Sequence, residues 1–155
     1  MPSDLWSFTL DFYARPGVEQ ACLALQTNGG NVCALLCGVW LDQRRIPFDP
    51  ERAEEIRQLA TPWHDDVVGP LRAIRTRWKA AAAADEELGA LRERLKGLEL
   101  DAERELLVRL QRLVQNWPRQ DVQAAGAWLK ALAGKAGTQS PDALQVLQRV
   151  GLDAA

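Results

Sequence analysis

Residues 85–115 read DEELGALRERLKGLELDAERELLVRLQRLVQ, and this stretch decides the fold class. Leu88, Leu91, Leu95, Leu98, Ala102, Leu106, Leu110 and Leu113 recur at steps of 3, 4, 3, 4, 4, 4 and 3. That is the spacing of one face of an α-helix, not the alternation of a strand. The pattern resembles heptads interrupted by a stutter, with Asp85 placed to cap or simply to continue the segment. Unbroken, the 31 residues would span about 46 Å at roughly 1.5 Å per residue. Gly97 is the expected place for a break.

Downstream, Asn116-Trp117-Pro118 ends this helix. Asp121 is placed to cap a further one through Ala133, Gly134 to Thr138 loosens the chain, and Ser140-Pro141-Asp142 starts a last helix to Val150. Upstream, Ser3 is the expected N-cap of a first helix carrying Leu5, Phe8 and Phe12 beside Trp6, Leu10 and Tyr13. Arg15-Pro16-Gly17 breaks it, and Pro16 is expected in the first turn of the next helix, which carries Val18, Cys22 and Leu25. Asn28-Gly29-Gly30 turns the chain into a strongly apolar third helix, Val32 to Trp40. Asp49-Pro50 caps a helix towards Leu59, and Thr61-Pro62 opens a short one through Val68. Gly69-Pro70 kinks or restarts the segment with Leu71, Ile74 and Trp78.

The expected fold is all-α: a compact helical bundle with a long leucine-rich helix and a short C-terminal helical pair. Residues 1–155 form a single helical domain, divided into an N-terminal bundle (1–82), the long amphipathic helix (85–116) and C-terminal helices (119–155). With 47% hydrophobic and 26% charged residues the composition is globular. A net charge of −2 argues against a surface built as a whole for nucleic acid. Residues 1–69 carry 5 Lys or Arg against 10 Asp or Glu, and residues 70–155 carry 14 against 11, so the second half is the basic one. The N-terminus lacks a basic leader and no apolar run is long enough to span a bilayer. A cytoplasmic, bacterial protein with no membrane contact is expected.

Cys22, Cys33 and Cys37 lie in apolar stretches without a C-x-x-C pair, which suits reduced, packed thiols. Cys33 and Cys37 share a helical face, but a metal would need two further ligands, and only Cys22 and His64 remain as soft donors. No metal or cofactor is therefore expected. His64, followed by Asp65 and Asp66, is the single histidine. With no nucleophile context in the chain it reads as an ordinary exposed helix residue, so no catalytic residue is assigned.

Two segments stand out as partner-binding candidates. Arg72, Arg75 and Lys79 share a helical stripe beside Leu71, Ile74 and Trp78, with Arg77 nearby. That face suits phosphates, an acidic partner or the acidic N-terminal half of the chain. The seam beginning Leu88, Leu91 and Leu95 can pack on its own bundle, on a second copy or on another protein. Six tryptophans are present. Trp117 and Trp128 are the ones expected to face a partner, the other four to pack in the core.

The set Phe12-Tyr13-Ala14-Arg15-Pro16-Gly17-Val18, Cys22-Leu23-Ala24-Leu25-Gln26, Trp40-Leu41 and Trp63 through Val67-Val68-Gly69-Pro70-Leu71-Arg72 to Arg75 resembles a family of short proteobacterial proteins of unknown function. Leu98-Glu99-Leu100-Asp101-Ala102-Glu103-Arg104 is a weaker echo, and the likeness covers roughly residues 5–105. It implies a helical fold and a cytoplasmic setting, and no reaction. After the glycine turn, where the family suggests an acidic and an amide residue, this chain has Asn31-Val32-Cys33.

Chemical poverty beside abundant amphipathic surface makes a non-enzymatic adaptor or regulator that binds another protein the leading expectation. An RNA-associated module using Arg72, Arg75, Arg77 and Lys79 is the alternative. A small-molecule binder with His64 or Asp65 as polar handle is the third. A homodimer is a further expectation, since the first helix and the seam present more apolar face than a small bundle hides.

Overall fold

A computed structural model describes residues 4–120 and 126–153. Among these residues the chain is all-α: eight α-helices, one π-helical turn and no strand. Helix α1 spans Leu5–Tyr13. Its cap is Asp4 rather than Ser3, which lies outside the described residues; the Asp4 carboxylate accepts the Ser7 N–H at 2.8 Å, the reach of an N-cap to the third residue of its helix. Helix α2 spans Val18–Thr27 and starts after Gly17, whose φ of 85° reverses the chain. Pro16 therefore lies in the turn and not in the helix.

Helix α3, Val32–Gln43, is buried without interruption from Cys33 to Leu41. A helix apolar all round can only be a core helix, and the others assemble around it. Asn31 caps it, accepting the Ala34 N–H at 3.2 Å. Helix α4, Pro50–Trp63, is capped by Asp49 as its sequence indicates, but it does not stop at Pro62. The chain stays helical through a π turn, His64–Val68, into α5, Gly69–Ala82. The reading of Thr61-Pro62 as a fresh start is thus overturned. Local rules forbid proline inside a regular α-helix because of its missing N–H and its clash with the carbonyl four residues back. Widening the helix by one residue per turn moves that carbonyl aside ahead of Pro70, and the Gly69 N–H bonds to His64 O.

Helix α6, Glu86–Val114, is capped by Asp85 and runs unbroken through Gly97, where the break was expected. Nothing lies within 4 Å of where a Cβ on Gly97 would sit. The glycine lowers helix propensity without breaking the helix. Helix α7, Ala127–Gln139, includes residues 134–138, read from sequence as loose, with a kink at Gly134. Asp121, its expected cap, lies outside the described residues. Helix α8, Pro141–Asp153, starts at the expected Ser140-Pro141.

The core joins α1–α4 and the C-terminal half of α6 with α7 and α8. Helix α5, by contrast, has no buried residue. It pairs with the N-terminal half of α6 as an antiparallel arm standing off the body. No described helix is long and apolar enough to cross a membrane.

Trp128 corrects a second expectation. It is 1% exposed, its indole N–H donates to Ile46 O at 2.8 Å, and Phe48 and Trp117 pack on its ring. Trp117 is half-buried under Arg52. The expectation that both face a partner rests on surroundings without helical pattern. The burial comes from segments distant in sequence.

Candidate functional site

The arm and the body enclose a cleft of about 480 Å³. One wall is α1 and α2, which contribute Trp6, Thr9, Leu10, Tyr13 and Leu23, with Glu19 exposed at the rim. The start of α3 supplies Val32, Cys33 and Leu36, and the π turn supplies His64 and Val68. The opposite wall is Arg72 and Arg75 from α5 with Glu99, Leu100 and Glu103 from the middle of α6, and Leu107 of α6 closes the cleft from the core.

Four charges on the arm interlock. Glu99, 7% exposed, accepts from Arg75 through both oxygens, Nε at 2.5 Å and Nη2 at 3.3 Å, and its Oε2 also takes Arg72 Nε at 3.3 Å. Arg72 Nη2 reaches Glu103 Oε1 at 3.2 Å. A carboxylate this buried is tolerable only when paired and hydrogen-bonded, and Glu99 is both. The bond to Glu99 holds the Arg75 proton more firmly than usual. Burial pushes the Glu103 carboxyl above its ordinary value, against the pull of Arg72. The Arg92 guanidinium donates to Arg75 O at 2.9 Å and ties the two arm helices again.

On the body side, burial pushes the Tyr13 phenol up to about 12, so it stays protonated at neutral pH. Among the described residues the buried Thr9 hydroxyl has no hydrogen-bond partner. Burial likewise pushes the Cys22 and Cys37 thiols up to about 12 and raises Cys33, which makes all three packing groups, not nucleophiles. Cys33 points its thiol at Glu103 O, 3.8 Å away. Among the described residues, no three His, Cys, Asp or Glu side chains gather as metal ligands.

The sequence candidates divide between two places. Arg72 and Arg75 face the cleft and engage carboxylates of their own arm, not the acidic N-terminal half. His64 sits at the cleft mouth on the π turn, half-exposed rather than on an ordinary exposed helix, with Nδ1 3.3 Å from Asp65 Oδ1. Arg77 and Lys79 are exposed on α5 and Trp78 is half-buried. Leu88 and Leu95 are half-buried on α6, while Leu91 is 50% and Leu98 54% exposed. Only the later part of the leucine seam, Ala102, Leu106 and Leu110, enters the core.

Glu99, Glu103, Tyr13 and Thr9 were not singled out by sequence. The signal for the two glutamates was available: carboxylates at i and i+4 on α6 face guanidiniums at i and i+3 on α5 once the helices fold back at residues 83–85.

Residues 4–110 match the family described as Protein of unknown function (DUF2390). The matched stretch is more than half the chain and contains every residue lining the cleft. No curated protein and no solved structure matches. The chain belongs to that family.

Proposed function

Taking membership of a family of unknown function as the premise, we propose that this protein binds a small amphipathic molecule in the cleft between its arm and its body. The observation that carries the reading is a concave space of about 480 Å³, with a charged cluster on one wall and leucines and aromatics on the other. Ligand sites combine an apolar lining with a few convergent polar groups in this way, at roughly 300–1,000 Å³. No step of catalysis is assigned. The three unpaired thiols suit a reducing compartment, so a bacterial cytoplasm is part of the reading.

A neutral apolar dye such as Nile red tests it. Its fluorescence should rise with the wild-type protein and fall back in Leu23→Trp and Leu100→Trp, which fill the cleft from exposed positions and leave the helical circular dichroism intact. No rise with the wild type overturns the reading.

A second reading, docking of another protein or a second copy, draws on the other side of the arm. Ile74, Leu91 and Leu98 are exposed on the arm helices and do not line the cleft. Crosslinking from position 91 in cells, followed by sizing of the product, should give one discrete adduct that Leu98→Glu abolishes. A ladder of unrelated adducts removes this reading. An RNA contact would have to rest on Arg77 and Lys79, since Arg72 and Arg75 already hold carboxylates; charge reversal at Arg77 and Lys79 that left RNA retention unchanged would remove it.

A further inference from the structure

The polar atoms left over in the arm cluster narrow the ligand class. Among the described residues, Glu99 uses both oxygens, but Arg72 Nη1, Arg75 Nη1 and Glu103 Oε2 have no hydrogen-bond partner. The open positions are therefore two cationic donors on α5 and one anionic acceptor on α6. Arg72 and Glu103 are already in contact at 3.2 Å, so the two kinds of open position lie within one small head group's span. The two guanidiniums and two carboxylates sum to zero charge. Glu19, exposed at the rim, is the remaining acidic side chain of the lining.

A ligand with only a carboxylate would satisfy the guanidiniums and set a second anion beside half-buried Glu103. A ligand with only an ammonium would pair with Glu103 and crowd two guanidiniums. Either one brings an uncompensated charge into a partly desolvated place. A group carrying both charges a few ångströms apart meets both demands and adds no net charge. Leu10, Leu23, Val32, Leu36 and Leu107 give the rest of the lining a mainly apolar surface, with Tyr13, Gln26 and Asn31 among its polar members.

Resting on the reading of the cleft as a binding site, we infer that its ligand is a zwitterion with an apolar side chain, of the α-amino acid type. Its carboxylate meets Arg72 and Arg75, its ammonium meets Glu103, and its side chain lies on the body wall. The buried Thr9 hydroxyl, 8% exposed and without a partner among the described residues, adds a polar atom to the far wall beside the Tyr13 phenol.

The test is calorimetric titration of the full chain with three molecules sharing one ring and linker: phenylalanine, phenethylamine and 3-phenylpropanoate. Phenylalanine should bind at least about tenfold tighter than the other two, the gain of one charge-assisted contact over its absence. Glu103→Gln should erase the advantage over 3-phenylpropanoate. If the amine or the acid matches phenylalanine while the dye still binds, the zwitterion inference fails and the cleft reading stands. If neither the dye nor any of the three binds, both fall. Should Glu103→Gln fail to fold, the three-molecule series on the wild-type protein decides alone.

Discussion

Asp42 shows how much one half-buried side chain organises. It sits near the end of α3 and accepts the backbone N–H of Trp128 at 3.0 Å and of Leu129 at 3.1 Å, so it caps the first turn of α7 from a different helix. Gly126, the residue in the cap position, has no side chain to do so. Burial raises the Asp42 carboxyl to about 6 despite those two donors. The folded protein thus holds this proton more tightly than the unfolded chain. The stability linked to it is complete below about pH 4 and is lost as pH rises through about 6. Asp42→Asn cannot titrate, so urea unfolding from pH 4.5 to 7.5 should show the wild type's advantage over the variant shrinking across that window. A constant difference would contradict the assignment.

At the level of elements, one substitution has opposite signs on two helices. Gly97→Ala on α6 meets open space and should stabilise by about 0.5–1 kcal/mol through helix propensity. Gly38→Ala on α3 would bring a Cβ to 3.0 Å from Leu132 Cδ1 and 3.2 Å from the Leu129 backbone. Overpacking of about 1–3 kcal/mol should outweigh the same propensity gain. Thermal melts of the two variants should move in opposite directions. The contrast also marks what is legible in the chain. Caps such as Asp49 and Asp85 act within their own helix and are readable. Pro62 departs from the expectation because it lies inside α4, which runs on through it into the π turn, so the local rule that starts a fresh helix at proline does not hold there. The cap at Asp42 and the burial of Trp128 depend on segments far apart in sequence, about which periodicity carries no information. The carboxylates opposite Arg72 and Arg75 have a legible helical spacing, but which charges they meet follows only from how the helices fold back.

For the molecule as a whole, the family match ends at residue 110, but the core does not. Helix α7 packs on α3 and α8 on α2, and Trp128, Leu129 and Leu147 are fully buried. A chain ending after Val114 should therefore lose its cooperative thermal transition and gain dye-accessible apolar surface, because α3 would lose cover along one side. A sharp melt from that fragment would show the matched region to be self-sufficient.

The exposed arm has a thermodynamic consequence. With no buried side chain in α5, much of its attachment beyond the π turn rests on the guanidiniums that Glu99 and Glu103 hold. Occupancy of the cleft and the opening of α5 are then two readings of one equilibrium. Hydrogen exchange at the α5 amides should slow when the cleft is filled and quicken when Glu99 is replaced. The arm would report its ligand through amides that need not touch it.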